Sequence, residues 1–160
     1  MAGLPDSVRA LAERTPVEDF LLDLLRAELP DMPVNSLIGP DQQFPFLLVR
    51  RIPGVGEGAG DPRFLDAATI AVHAFVPDPD GDEDAAILSE AVRVVLRDAW
   101  LKQKVVPGRG HLTEWEMTIA PRRVTDWATA TGPVQYADLP TGIVRYETQY
   151  HLIIRRPTRA

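Results

Sequence analysis

The chain has 160 residues, an apolar fraction of 45%, a charged fraction of 25% and a formal net charge of −6, with a pI of about 5.0. These values describe a folding globular chain of ordinary domain size, not a disordered one, and the acidic balance argues against a broad nucleic-acid footprint, which needs a basic face. There is no cysteine, which excludes disulfides, thiolate chemistry and Cys-ligated zinc.

The opening Met1-Ala2-Gly3-Leu4-Pro5-Asp6 has no basic region followed by an apolar run, so no signal peptide is expected. No apolar stretch approaches the roughly 20 residues that a membrane helix needs. Both observations point to a soluble protein made in the cytosol. Residues 1–14 read as an N-terminal extension with a short helical turn. Thr15-Pro16-Val17-Glu18 then reads as a helix start: Thr15 caps, Pro16 suits the first helical position and Glu18 closes a capping box. Val17, Phe20, Leu21, Leu24 and Leu25 recur at helical spacing, and Pro30 and Pro33 stop the helix.

Residues 44–52 form a near-continuous apolar run and predict a strand; residues 65–76 predict a second. Between them, 53–62 holds Gly54, Gly56, Gly58 and Gly60, the composition of a long loop at a hairpin tip. An acidic turn over 77–84 leads into a second helix whose Leu88, Ala91, Val92, Val95, Leu96 and Ala99 share one face. Pro107, Gly108 and Gly110 break the chain. Residues 112–120 alternate, with Trp115, Met117 and Ile119 opposite Glu114, Glu116 and Thr118, as in a half-buried strand. Residues 125–141 are rich in Thr, Pro and Gly and read as irregular. Residues 143–155 alternate again, with Val144, Tyr146, Tyr150, Leu152 and Ile154 on one side and Arg145, Glu147, Gln149 and His151 on the other. This order predicts an α+β fold in a single domain: one mostly antiparallel sheet of four to five strands, with a mixed sheet as the alternative, and two helices packed on one face.

No constellation of catalytic type stands out. The glycine-rich loop lacks a Gly-Lys-Ser/Thr step, carries Glu57 and Asp61, and opens onto a strand rather than a helix, so a phosphate cradle is disfavoured. The acidic turn Asp78-Pro79-Asp80-Gly81-Asp82-Glu83-Asp84 has Glu83 at the sixth place and Ser89 at the twelfth. A calcium loop needs Gly and Glu there, so helix-start acids are the favoured reading. His73, His111 and His151 have no zinc spacing, and no Gly-x-Ser-x-Gly elbow occurs. His73 and His151 are read as strand histidines and His111 as a turn residue. The cations Lys102, Lys104 and Arg109 complement the second helix's negative end and stay solvated. No catalytic residue, metal site or cofactor is predicted.

What remains are contact residues. Arginine and tryptophan are enriched at protein interfaces. The candidates are Arg50 and Arg51, the loop-tip acids Glu57 and Asp61 with the adjoining Arg63, then Arg122, Arg123 and Trp127. Trp115 reads as core, and Trp100 as core or seam.

The layout resembles the tail terminator, or tail completion, proteins of long-tailed bacteriophages. The features are the capped first helix, then Phe44-Pro45-Phe46-Leu47-Leu48-Val49-Arg50-Arg51-Ile52, the glycine-rich tip, a strand leading into an Asp-rich helix start, and the ending Gly132-Pro133, Asp138-Leu139-Pro140 and Arg145-Tyr146-Glu147-Thr148-Gln149-Tyr150. They span most of the chain. The resemblance implies a virion structural protein, not an enzyme. It implies a homo-oligomeric ring, a hexamer, that caps the head-proximal end of the tail tube, stops its growth and joins the tail to a neck or head-completion protein. DNA would pass through the lumen without specific binding, and the protein would reside in the host cytoplasm during assembly. Another head–tail connector is the nearest alternative reading. A small enzyme or nucleic-acid-binding domain is the more distant one; a pocketed cluster of titratable groups or a basic face would mark it.

Overall fold

A computed structural model describes residues 3–12, 16–52, 61, 64–77, 79–124 and 142–157. The elements are α1 (Asp6–Ala12), α2 (Val17–Glu28), β1 (Val34–Asn35), β2 (Phe46–Arg51), β3 (Leu65–Pro77), α3 (Gly81–Leu101), β4 (Val105–Val106), β5 (Gly110–Arg123) and β6 (Ile143–Arg155). The strands form one sheet in the order β1-β2-β3-β6-β5-β4. β1 and β2 run parallel, and every other neighbouring pair is antiparallel. The fold is α+β, as expected. The sheet has six strands rather than four to five, because β1 and β4 are two residues each, too short for any period to register.

β3 and β6 pair along their whole length, from Leu65↔Arg155 to Pro77↔Ile143. β3 carries an almost unbroken buried run, because it is covered on both faces. On one face α2 and α3 pack side by side. Phe20, Leu21, Leu24 and Leu25 of α2 and Ala85, Leu88, Val92, Leu96 and Ala99 of α3 meet Leu47, Val49, Ile70, Val72, Tyr150, Leu152 and Ile154 of the sheet. Each large apolar side chain buried there contributes about 1.5–3 kcal/mol. On the other face Phe46, Leu48 and Phe75 form a second cluster with Ile38, Phe44 and Ile143, the rings of Phe46 and Phe75 stacked at 4.8 Å.

The start of α2 differs from its sequence reading. Pro16 takes the N-cap position and makes no side-chain capping bond; Thr15 lies outside the described residues. The first-turn amide of Val17, which has no acceptor within the helix, donates instead to Asp66 Oδ2 of β3 at 2.9 Å. The Glu18 carboxylate pairs with Arg51 at 2.7 Å. Arg51 also reaches Asp66 at 2.8 Å, and the buried Arg156 stands 3.5 Å from the same carboxylate. The helix is thus capped in trans from a strand forty-nine residues away, which no local motif can encode.

α3 begins at Gly81, so the acidic turn is shorter than the 77–84 expected, and Asp82, Glu83 and Asp84 lie in the helix's first turn near its positive end. A Cβ on Gly81 would stand 2.6 Å from Val144 Cγ2, so glycine lets helix and strand approach. The helix ends before Pro107: Gln103 adopts φ +48, and the amides of Gln103 and Lys104 return to the carbonyls of Trp100 and Ala99. That is the paired-bond stop usually built on glycine. Gly110, at φ +100, is needed because a Cβ there would lie 1.9 Å from the Arg155 carbonyl oxygen.

Lys102 and Lys104 of the basic run after α3 are exposed, as expected, and two of its cations also find partners on α2. Lys104 engages Glu28, and Arg109 reaches Asp23 at 2.8 Å and Asp19 at 3.5 Å, tying α2 to the β4–β5 turn. His111 lies in β5 opposite Arg155, not in a turn. The strand expected over 44–52 starts at Phe46, since Pro45 has no N–H to pair. The loop 53–60 and the segment 125–141 lie outside the described residues.

Asp66→Ala removes the cap of α2 and the carboxylate that Arg51 and the buried Arg156 face. It should lower unfolding free energy by about 3 kcal/mol in urea titration, and Asp66→Asn, which keeps an acceptor for Val17, should lose less. Gly110→Ala, with no room for its methyl group, should cost at least about 3 kcal/mol by the same measurement.

Candidate functional site

The helix-free face of the sheet concentrates polar groups that the alternation of β6 placed there. Across the four central strands, register sets Leu48, His73, Glu147 and Arg122 in one row. Arg145 lies one pair along on β6, opposite Phe75. His73 is 5% exposed and Arg145 3%. His73 Nδ1 stands 3.8 Å from Glu147 Oε2, and Arg122 donates to Glu147 Oε1 at 3.2 Å. Gln149 donates to the same oxygen at 3.3 Å. Glu147 and Gln149 are thus fitted to neighbours, and the row runs from the buried His73 to Arg122 at the exposed rim.

Burial sets the charge of this row. It pushes the His73 imidazole down to about 4; Glu147 opposes the shift, while Arg145 and Arg50 add to it. At neutral pH His73 is therefore neutral, and its contact with Glu147 is a polar contact rather than an ion pair. Burial works to raise the Glu147 carboxyl, but His73, Arg122 and Gln149 hold it below the usual carboxylate range. A single neutral imidazole thus stands beside one carboxylate, with the guanidinium groups of Arg50, Arg122 and Arg145 around it.

The contact residues expected from sequence do not converge on one place. Arg50 and Arg122 share the helix-free face. Arg51 lies on the helix side, held by Glu18 and Asp66. Arg123 reaches across to Asp82 at the start of α3 at 2.9 Å, where Tyr146 Oη also donates to Asp82 at 3.3 Å. Asp61 accepts the amides of Phe64 and Leu65 through its carbonyl, shaping the entry to β3. Glu57, Arg63 and Trp127 lie outside the described residues. Trp115 packs against the main core. Trp100 is 39% exposed and donates to the Thr113 carbonyl at 3.0 Å. The sequence places His73 in a strand, as a surface or satisfied histidine, and Arg145 with Glu147 on one face of another, but does not bring the three together. The available signal was a histidine inside a strand apolar on both sides, which marks a strand buried on both faces.

A second feature lies at the rim. β4 pairs with β5 only at Gly110 and His111, and the side chains of Gln103 and Trp100 occupy the next two carbonyls, of Leu112 and Thr113. Beyond them, over residues 114–123, the outer side of β5 has no neighbouring strand among the described residues. Glu114, Glu116, Thr118 and Ala120 project outward there and are exposed. Register shifts interrupt the pairing of β5 with β6 at three places. Bulges and charges are how an edge is protected from indiscriminate pairing, so this edge is managed rather than merely open.

Among the described residues no group of three His, Asp or Glu side chains is placed to hold a metal ion, and no helix is long and apolar enough to cross a membrane. No protein-family model matches the chain, and no curated protein matches it significantly.

The row also sets a pH dependence. The His73 pKa is lower folded than unfolded, so above about pH 6.5 both states are neutral and nothing is lost; below it the unfolded chain takes the proton first and the fold weakens. With the folded value at about 4, the loss should reach about 2 kcal/mol by pH 5. His73→Gln should flatten the profile between pH 6.5 and 5 in denaturant titrations at each pH; an unchanged slope would assign the loss to other groups.

Proposed function

We propose that this chain is a virion structural protein, a tail terminator of a long-tailed phage. Copies form a hexameric ring on the head-proximal end of the tail tube, stop further tube subunits adding, and present a face to the neck or head-completion protein. The observation that carries the reading is the outer edge of β5. It is a long strand, unpaired over 114–123 among the described residues, and guarded by acids and bulges. Such an edge is satisfied when a neighbouring subunit covers or extends it. A head-to-tail contact that closes by rotation makes a ring.

The order of elements supports the same reading, since the capped helix, the hairpin, the acid-rich helix start and the closing long strands follow the arrangement that the sequence resembles. The role is structural rather than catalytic. The energy resides in repeated contacts, and the polar row on the helix-free face keeps the sheet in the shape those contacts need. A net charge of −6 per copy, multiplied around a ring, repels DNA from the lumen and lets it pass without specific binding.

Electron microscopy of tube subunits polymerised with and without the purified protein tests the proposal. The expected result is density at one tube end and a narrow length distribution when the protein is present, and long unterminated tubes when it is absent. A double Thr118→Lys, Ala120→Lys variant, altered only at exposed edge positions, should fold normally but fail to cap. Tubes of equal length with and without the wild-type protein, and bare at both ends, would contradict the role.

A further inference from the structure

We propose that the outward ridge of α3 docks a second copy of this chain through an antiparallel, two-fold helix contact. α3 carries two apolar lines. The inward one, with Ala85, Leu88, Val92, Leu96 and Ala99, is buried against the sheet and α2. The outward one is Ile87, Val94 and Leu101, exposed by 60%, 46% and 53%. These residues are seven apart, so they drift by only about 20° per step around the helix and lie along roughly 21 Å of its length. Single exposed apolar residues are ordinary; a line at heptad spacing is the seam of a helix pair.

The charges beside the ridge select a second copy as its occupant. Glu90 and Arg97 flank the line on one side. In an antiparallel pair centred on Val94, Val94 meets Val94 of the second copy and Ile87 meets Leu101. Glu90 then comes beside Arg97 in both directions. In a parallel pair that flank would instead face the flank carrying Ala91 and Asp98, and Glu90 would meet no cation across the contact. The antiparallel pair alone matches Glu90 with Arg97 twice, and its two-fold symmetry makes the contact isologous. Ala91, on the opposite flank, is small enough for close approach. In the single chain Glu90 holds Arg93 at 2.8 Å and Arg97 stands 3.8 Å from Asp98. Both are exposed local pairs of little strength, so exchanging them across the contact costs little.

One helix pair covers less than the roughly 800 Å² per partner of a standard interface. The dimer is accordingly weak, and its population rises with concentration. The ridge is separate from the outer edge of β5, so the contact neither requires the ring nor excludes it, and its failure would leave the tail-capping proposal standing.

The chain has no cysteine, so introduced thiols report the geometry directly. Under mild oxidation Val94→Cys should cross-link to itself. Ile87→Cys alone should not, and a mixture of Ile87→Cys and Leu101→Cys should yield a mixed dimer. In sedimentation equilibrium the wild-type chain should show a concentration-dependent dimer, and Val94→Asp should remain monomeric with an unchanged circular dichroism spectrum. Glu90→Arg and Arg97→Glu should each lose the dimer alone and regain it when mixed. A wild-type chain monomeric up to several hundred micromolar would overturn the proposal, as it would if α1 of the same chain, with its exposed Val8 and Leu11, lay over the ridge. So would an assembly unaffected by Val94→Asp, or cross-linking of Val94→Cys no faster than that of Ile87→Cys.

Discussion

The antiparallel pairing of β3 with β6 is the constraint on which the rest of the structure depends. It joins Leu65 to Arg155 at one end and Pro77 to Ile143 at the other, between segments distant in the chain. Once that register is set, the alternation of both strands decides what each face carries. Ile70, Val72 and Ala74 turn with Tyr150, Thr148 and Tyr146 toward the helices. Ala71, His73 and Phe75 turn with Gln149, Glu147 and Arg145 the other way. A slip of one residue would exchange the two sets and put His73 and Arg145 under α2 and α3. The buried polar row is thus a register device as well as a charged one, because only one pairing gives its members their neighbours.

The ends of the spine anchor the elements around it. At one end Asp66 caps α2 and gathers Arg51 and Arg156; at the other, glycine at position 81 lets α3 press against Val144. The two helices are also joined at the far side through Lys104 and Arg109 to the acids of α2. Among the described residues these ties leave the outer side of β5 and the outward ridge of α3 without a neighbouring element. Both are surfaces rather than cavities, and the proposed function and the proposed helix contact rest on them.

Much of this was legible in the amino-acid order. The apolar spacing of Phe20, Leu21, Leu24 and Leu25 and the alternation of Trp115, Met117 and Ile119 each followed from one period and were read as helix and half-buried strand; the near-continuous apolar run over 44–52 and the segment 65–76 were read as strands. The failures share a cause. The cap of α2 was assigned to Thr15 and Glu18 because capping boxes are local, whereas the acceptor is Asp66, brought there by the sheet. The surface pairs of Lys104 and Arg109 were not foreseen because their partners, Asp19, Asp23 and Glu28, lie far back in sequence. Gln103 was passed over as a helix stop because its left-handed backbone is uncommon for a residue other than glycine. β1 and β4 were missed because two residues carry no period. Candidate contacts chosen by residue type dispersed for the same reason: arginines at 51 and 123 spend their charge within the fold, and nothing local distinguishes them from one that does not.

The central claim is that the outer side of β5 is covered by a neighbour when the protein does its work. Amide hydrogen exchange, followed by residue-resolved mass spectrometry on the free protein and on the protein docked at tail-tube ends, measures this directly. The account predicts that amides within 114–123 exchange readily in the free chain and become protected by at least tenfold on docking, while those at the centre of β3 stay equally slow in both. Unchanged exchange along β5 in the docked protein would contradict it.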